Sequence, residues 1–233
     1  MSLSVSAFLF SKLASKPLEL SFELLRQFTA DAAHELGTPI ATITAAVDNL
    51  KAETRKNQHL KRLTVIENAA GRMNKLADDL MLLTNLGTHS KDFRGSPASI
   101  NMDELVKQLY EEFEDRYQQK GISLTIGRLD NCKIRGYRDN LIRLLANLLE
   151  NSLRYTDSGG KVNINLTREG NKTCLVVADN GIGIPQESMD KIFNRFFRVD
   201  KARSRDAGGN GLGLSIVKAI TELHNGSISI ESQ

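Results

Sequence analysis

Apolar and small residues recur at alternating steps of four and three along two long segments of this chain. The first row is Leu18, Phe22, Leu25, Thr29, Ala32 and Leu36, and the second is Leu63, Ile66, Ala70, Met73, Ala77, Leu80 and Thr84. Such steps place one residue per turn on one face of an α-helix, and that seam must be buried against other helices. The pattern therefore predicts two long helices between residues 15 and 86, joined by a turn in the polar stretch 53–59.

Two helices of this length cannot bury their seams well by themselves. A second copy of the chain would cover them, because two helical hairpins packed together form a four-helix bundle. The sequence therefore favours a homodimer held by the two-helix region.

The pattern changes after residues 87–99, which hold two glycines, a proline and several polar residues and are predicted to be a linker. Helices are predicted at 102–118, 139–155 and 214–224, and strands at 122–126, 162–167, 173–178 and 227–231. This mixture predicts an α/β domain whose helices pack on one face of a sheet. The fold class is thus α plus α/β.

Composition excludes several classes of protein. The chain has 233 residues, of which 40% are hydrophobic, and its formal net charge of +3 does not suit a dedicated nucleic-acid binder. Cys132 and Cys174 lie far apart with no His or Cys nearby, so neither a disulfide framework nor a zinc site is expected.

The sequence holds no run of about 18 apolar residues, the length that a membrane-spanning helix needs. Its apolar start at residues 5–10 is too short to cross a bilayer. We expect residues 1–15 to be a membrane-proximal stub or the start of a signalling helix. The chain would then be the cytoplasmic portion of a protein whose anchor precedes it.

His34 lies off the first helical seam, so its side chain is predicted to face solvent. Glu35 is its neighbour, and Thr38 follows one helical turn later on the same face. A neutral imidazole is a nucleophile near pH 7, and a nearby carboxylate can take its proton. The alternative is an ordinary exposed histidine on a helical bundle.

Three further motifs follow in the second half of the chain. Asn147 and Asn151 share one helical face, where their amide oxygens suit Mg²⁺ held between phosphates. Asp179 begins a turn with Gly181 and Gly183, where a carboxylate could accept a hydrogen bond from an adenine amino group. A polar pair on a solvated face and a simple Asp-Asn-Gly turn are the alternative interpretations.

The third of these motifs is a glycine-dense loop, residues 208–213, directly before a predicted helix. Free N–H groups at a helix start attract phosphate. The loop lacks the Gly-Lys-Ser/Thr end of a P-loop, and Ile216 stands where a Rossmann fingerprint needs its third glycine. Between the last two motifs, Arg198 could reach a terminal phosphate, and residues 201–210 have the composition of a lid. A flexible loop without a ligand is the alternative.

Taken in this order, the motifs resemble those of the sensor histidine kinases of two-component systems. Residues 28–40 are similar to the H box, 147–155 to the N box, 179–185 to the G1 box, 193–200 to the F box and 208–214 to the G2 box. The resemblance implies a dimerisation and phosphotransfer domain at 16–86, followed after the linker by an ATP-binding α/β sandwich of the Bergerat type at 100–233, truncated at its C-terminus.

The resemblance also implies a role for each matching residue. His34 would accept the phosphoryl group of ATP, Glu35 would be the base, and Thr38 would position water when a partner is dephosphorylated. Asn151 would hold Mg²⁺ with support from Asn147, and Asp179 would bind adenine. The remaining nucleotide contacts would come from Arg154, Tyr155, Gly181, Gly183, Arg198, Gly209, Gly211, Leu212 and Gly213. The implied partner is the receiver domain of a response regulator, to which His34 would pass the phosphoryl group.

Three features depart from the family pattern. Gly37 replaces the usual arginine of the H box, and a glycine within a helix costs about 0.5–1 kcal/mol relative to alanine. Arg154 replaces the usual lysine of the N box, which keeps the charge but changes its geometry. The sequence stops at Gln233, where the family usually continues into a final strand, so the sheet is expected to lack an edge strand.

Two other kinds of enzyme share this type of ATP-binding domain. Hydrolytic ATPases of the gyrase and Hsp90 type need a glutamate four residues before the Mg²⁺-binding asparagine, and here that position is Asn147. Related protein-serine kinases lack a two-helix region with a histidine. A dimeric ATP-binding scaffold without histidine phosphorylation remains an alternative.

Overall fold

The computed structural model describes residues 28–50, 56–87, 96–199 and 210–232, with no side chains described at 56–60 and 85–87. The chain divides into two compact units, one reaching to Ala77 and the other beginning at Asp78. The predicted N-terminal stub, the seam positions Leu18, Phe22 and Leu25, and most of the predicted linker lie outside the described residues.

The described residues of the first unit are helical. Helix α1 covers residues 28–50, and helix α2 covers Lys56–Gly87 and continues into the second unit. The inner row of α1 keeps the predicted steps of four and three, and its buried or half-buried members are Ala32, Leu36, Pro39, Ile43, Ala46 and Leu50. Helix α2 begins inside the predicted turn, because its first residues include neither glycine nor proline to prevent a helical turn.

The buried row of α2 differs from the predicted seam. Ala69, Leu76 and Leu83 are buried, whereas Leu63 is 47% exposed and Ala77 is exposed as well. The apolar stripe of α2 is wider than one row, because Ile66, Ala70, Met73 and Leu80 are half-buried between the two. Within one chain, only the row of Ala69, Leu76 and Leu83 is buried, and the other side of the stripe stays exposed.

The described residues of the second unit form five strands and three further helices. The strands are β1 (Ala98–Asn101), β2 (Ser123–Leu129), β3 (Lys133–Gly136), β4 (Lys161–Glu169) and β5 (Lys172–Asp179). The helices are α3 (Met102–Gln119), α4 (Arg138–Tyr155) and α5 (Gly213–Leu223), with a short 3₁₀ turn at Gln186–Ser188. Every helix predicted in this half forms within two residues of its predicted bounds, whereas β1 and β3 were not predicted.

The strands form two sheets. In the larger, β4 lies between β2, to which it is parallel, and β5, to which it is antiparallel. The smaller is an antiparallel pair of β1 and β3. Helices α3 and α4 supply one side of the core and β4 the other, with Val162, Ile164 and Leu166 fully buried. The predicted α/β domain with helices on a sheet is confirmed, as is the preceding helical hairpin.

The strand predicted at 227–231 does not form, and that prediction was wrong. Ile228 and Ile230 are half-buried and their neighbours are exposed, which is the alternation of a strand. No described strand pairs with this segment, however. The Oγ of Ser232 accepts the backbone N–H of Ile184 at 2.7 Å and holds the segment instead. Within the described ranges, no helix combines the length and apolarity needed to cross a bilayer.

Candidate functional site

His34 is exposed on α1, as its position off the seam predicted. Thr38 is exposed one turn later, and its Oγ1 donates a hydrogen bond to the backbone carbonyl of His34 at 3.4 Å. Glu35 is half-buried beside them. Gly37 and Pro39 occupy the same turn, and both weaken a helix, glycine through backbone entropy and proline through its missing N–H. The candidate phosphoacceptor thus lies on an accessible face at a locally weak turn.

Asn147 and Asn151 lie one turn apart on α4, facing the start of α5. The Nδ2 of Asn147 donates to the backbone carbonyl of Arg143 at 2.8 Å, which fixes the orientation of that amide. A Cβ built on Gly213 would lie 3.1 Å from Asn147 Oδ1 and 3.7 Å from Asn151 Nδ2. We call this meeting point of the two amides with the first residue of α5 the Gly213 cradle.

The loop before α5 passes close to other backbone. Gly211 has φ of +71°, and a Cβ there would lie 2.8 Å from the Cα of Phe196. Only glycine tolerates both the left-handed conformation and this contact. Leu212 is buried just before α5, and no side-chain hydrogen bond caps the helix within the described part of the chain. The N–H groups of its first turn are therefore available to an anion.

The turn that follows β5 is attached to the end of α4. The Oδ1 of Asp179 accepts the N–H of Gly181 at 2.9 Å, and the carbonyl of Tyr155 accepts the N–H of Ile182 at 3.1 Å. A Cβ at Gly181 would lie 2.4 Å from the Tyr155 carbonyl oxygen, so this position requires glycine. Gly183 has φ of +70°. Asp179 is exposed and accepts no second hydrogen bond from the part of the chain that the structure describes.

Helix α4 therefore connects the predicted motifs, because it contacts both the start of α5 and the turn after β5. Its middle carries the two asparagines of the Gly213 cradle, and its end carries Arg154, which is half-buried, and Tyr155, which is 39% exposed. Arg198 is half-buried after the segment that includes Phe196. Gly209 and the predicted lid up to residue 209 lie outside the described residues, and His34 belongs to the other unit.

The donor set fits a magnesium nucleotide better than a free metal. Among the described residues, no group of three or more His, Cys, Asp or Glu side chains could hold an ion alone. The amide oxygens of Asn147 and Asn151 are hard ligands that would need phosphate oxygens to complete a coordination shell. The uncapped start of α5 beside them would hold those phosphates. ATP with Mg²⁺ satisfies both requirements.

Sequence reasoning missed one polar contact beside this cradle. Asp79 of α2 is only 2% exposed, forms an ion pair with Arg143, and accepts a hydrogen bond from Asn210 Nδ2 at 3.1 Å. The sequence does contain a sign of this contact, because Asp79 lies on the same helical face as the apolar residues Leu76 and Leu83, which are buried. A charge on an apolar face needs a partner.

Two family models match the chain. Residues 24–89 match the His Kinase A (phospho-acceptor) domain, and residues 136–233 match the histidine kinase-, DNA gyrase B- and HSP90-like ATPase domain. The first match includes His34, and the second includes α4, the Asp179 turn and the Gly213 cradle.

Curated proteins align with nearly the whole length of this chain. Sensor histidine kinase RppB of Synechocystis is 37% identical over 226 residues, covering 94% of this chain and 49% of RppB. BaeS of Escherichia coli, a signal transduction histidine-protein kinase, is 35% identical, covering 94% of this chain and 46% of BaeS. The chain thus spans about half the length of these relatives.

A solved structure supports the fold. Histidine kinase ThkA, in a crystal with response regulator protein TrrA, aligns with a TM-score of 0.65 and 24% identity over 94% of this chain and 60% of that one. Fold, motif order and family matches agree. The chain belongs to the sensor histidine kinases of two-component systems.

Proposed function

We propose that this chain is an ATP-dependent protein-histidine kinase that phosphorylates its own His34. The observation that carries the proposal is the Gly213 cradle, where two amide side chains meet the uncapped N-terminus of α5. An amide pair suits the metal, and free N–H groups suit the phosphates. The exposed imidazole of His34 supplies the acceptor that a plain ATP-binding domain would lack.

The nucleotide would lie along α4. Asp179, at the far end of the site, accepts the adenine amino group, while Tyr155 and Arg154 line the path toward the phosphates. Asn151 would hold Mg²⁺ with support from Asn147, and the positive charge of the metal would offset the charge of the phosphates. Arg198 meets the γ-phosphate, and the glycines at 209, 211 and 213 let the backbone approach the triphosphate. Leu212, buried between two of these glycines, anchors that loop.

The chemistry at His34 is a phosphoryl transfer. A ring nitrogen of the neutral imidazole attacks the γ-phosphorus, and the bond from that phosphorus to the bridging oxygen breaks and releases ADP. Glu35 accepts the proton that the ring loses. The exposure of His34 allows this attack, because the acceptor must reach a nucleotide held elsewhere in the protein.

The wider function follows from the same residues. Phosphorylated His34 would pass its phosphoryl group to an aspartate of a response-regulator receiver domain. In a separate phosphatase reaction, Thr38 would position the water that hydrolyses the aspartyl phosphate and releases inorganic phosphate. ThkA, which shares the fold, crystallised with a response regulator. The domain bounds we propose are 16–86 for the dimerisation and phosphotransfer domain, 87–99 for the linker and 100–233 for the ATP-binding domain.

We propose a homodimer through the two-helix region. The edge of the α2 stripe that one chain leaves uncovered includes Leu63 at 47% exposure, and Ile40 of α1 is 49% exposed. A second hairpin would bury both in a four-helix bundle. In this proposal the chain is the cytoplasmic portion of a protein anchored in the membrane by a preceding region.

Simple ATP hydrolysis has less support. The residue one turn before Asn151 is Asn147, whose amide donates to the Arg143 carbonyl and has no basic group with which to activate water. An ATP-binding scaffold without phosphorylation would share the close glycine contacts at Gly181 and Gly211, so transfer of label to His34 is what distinguishes it from a kinase.

The test separates nucleotide binding from phosphoryl acceptance. ATP affinity is measured by calorimetry with Mg²⁺, and label transfer is measured with γ-labelled ATP. We expect His34→Ala to bind ATP like the wild type but take no label. Asp179→Asn should bind ATP about tenfold more weakly, because the new amide group points a donor at the adenine amino group.

Asp190→Asn is the matched control for Asp179→Asn, since it makes the same change at another exposed position of this unit and should alter neither readout. Label on His34→Ala equal to that on the wild type would show that His34 is not the acceptor. Unaltered ATP affinity in Asp179→Asn would remove Asp179 from the adenine role.

A further inference from the structure

Asp79 is an almost fully buried carboxylate that the proposed reaction does not use. Both of its oxygens are engaged within the second unit: Oδ1 accepts from the guanidinium Nη2 of Arg143, and Oδ2 accepts from Asn210 Nδ2 at 3.1 Å. Burying a charge costs free energy unless it is paired and hydrogen-bonded. The contacts with Arg143 and Asn210 therefore offset the cost of burying the charge of Asp79.

The two partners belong to opposite walls of the Gly213 cradle. The backbone carbonyl of Arg143 accepts the amide of Asn147 at 2.8 Å, on the α4 wall. The Oδ1 of Asn210 accepts the N–H of Leu212 at 3.2 Å, on the wall formed by the start of α5. Asp79 is thus connected by hydrogen bonds to the α4 wall through Arg143 and to the α5 wall through Asn210.

The loop wall depends on such a contact more than the α4 wall does. Asn210 precedes Gly211, whose positive φ and lack of a side chain leave the backbone many alternative conformations. A hydrogen bond from Asn210 to a fixed carboxylate removes part of that freedom before any ligand binds, and preorganisation of this kind strengthens binding.

We infer that Asp79 is a positioning residue for the phosphate end of the nucleotide site, acting through Asn210 and Arg143 to fix the spacing between the α4 amides and the start of α5. The inference rests on the proposed function, because it assigns the Gly213 cradle to the phosphates of ATP. It adds a residue of α2 to a site otherwise built from the second half of the chain.

The first variant is Asp79→Asn, which preserves size and one carbonyl oxygen for Arg143. It sets an amide donor against the Nδ2 donor of Asn210, so the hydrogen bond to the loop is lost. We expect ATP affinity, measured by calorimetry with Mg²⁺, to fall about tenfold. The matched control is Asp78→Asn, which makes the same change at the exposed neighbouring position and should bind ATP like the wild type.

The second variant exchanges the two groups, Asp79→Asn with Asn210→Asp. The amide on α2 then donates to a carboxylate on the loop, and that carboxylate can still accept the Leu212 N–H. We expect the exchange to restore ATP affinity to within about threefold of the wild type. Two substitutions that lowered ATP affinity independently would add their losses, so a rescue would show that the contact between positions 79 and 210 sets the affinity.

An Asp79→Asn affinity within about twofold of the wild type would overturn the inference, and so would an exchange variant weaker than both single variants. Thermal melts show whether each variant is folded at the assay temperature. If Asp79→Asn is not, Asn210→Ala tests the same contact from the loop: a loss of about tenfold supports the inference, and wild-type affinity overturns it. A wild-type chain that binds no ATP would instead refute the proposed function, and the inference with it.

Discussion

Single residues define the candidate nucleotide site mainly through the space they leave open. Gly181 lies against the Tyr155 carbonyl, Gly211 against the backbone of Phe196, and Gly213 against the Asn147 amide. A side chain at any of the three would meet neighbouring atoms at 3.1 Å or less. These contacts explain why the motifs are rich in glycine more directly than loop flexibility does.

Tyr117 supports α4 from below the two asparagines. It is fully buried, its hydroxyl donates to the Leu149 carbonyl at 2.8 Å, and it lies 2.7 Å from the Ser152 hydroxyl. Burial is the main reason that the pKa of Tyr117 is raised to about 12, although the Ser152 contact opposes the shift. The folded protein therefore holds this proton more tightly than the unfolded chain does.

The raised pKa of Tyr117 predicts a loss of stability at alkaline pH. Below the unfolded pKa of about 10 the contribution is fully present, and it is lost as pH rises toward 12, because the unfolded chain releases the proton first. We expect the wild type to lose about 2 kcal/mol of unfolding free energy across this window through Tyr117. Tyr117→Phe should be less stable by about 1 kcal/mol near pH 8.

Urea unfolding at a series of pH values checks this expectation. The stability curves of the wild type and Tyr117→Phe should cross between pH 10 and 12, because only the wild type loses stability as this hydroxyl ionises in the unfolded chain. Parallel curves for the two proteins across that range would contradict the assignment.

Among the elements, α4 contributes the largest number of candidate site residues. Its C-terminal end is held by a residue outside the helix, Lys120. The Nζ of Lys120 donates to the backbone carbonyls of Leu153, Arg154 and Thr156 at 2.7, 3.1 and 2.8 Å. These carbonyls lie at the C-terminus of the helix, where a cation also complements the helix dipole. Lys120 thus orients the turn that presents Tyr155.

Whereas the end of α4 is held in place, helix α1 is weakened near His34 by Gly37. A Cβ built on Gly37 meets nothing within 4 Å, and so does one built on Gly71 in α2. We therefore expect Gly37→Ala to raise the free energy of unfolding by about 0.5–1 kcal/mol, measured by urea titration followed by circular dichroism.

Gly71→Ala is the matched control, since it makes the same change at an equally open helical position of the other helix and should give a similar gain. A destabilised Gly37→Ala beside a stabilised Gly71→Ala would mean that a second chain packs against Gly37 and that alanine collides with it.

For the whole molecule, the sequence predicted the long-range plan well. The steps of four and three predicted the helices of the first unit, and four short motifs in order, the N, G1, F and G2 boxes, indicated the ATP-binding domain. These signals are strong because each repeats a local pattern over many residues or depends on residue types with few alternative uses, such as glycines before a helix.

The remaining features depend on tertiary contacts that no local pattern encodes. Strands β1 and β3 have four residues each, too few for alternation to be recognised. The segment 227–231 alternates like a strand but has no described partner with which to pair. The place of Asp79 on an apolar helical face indicates a buried charge, but its partners Arg143 and Asn210 are too distant in sequence to be identified from it.

The chemical nature and position of the transferred phosphate test the central claim most directly. The chain is incubated with γ-labelled ATP and Mg²⁺, exposed to acid or base, and digested to locate the label. Phosphate on histidine is a phosphoramidate, so we predict that the label is lost in acid, survives in base, and lies on the peptide that contains His34. Label that survives acid, or that lies on a peptide without His34, would contradict the account.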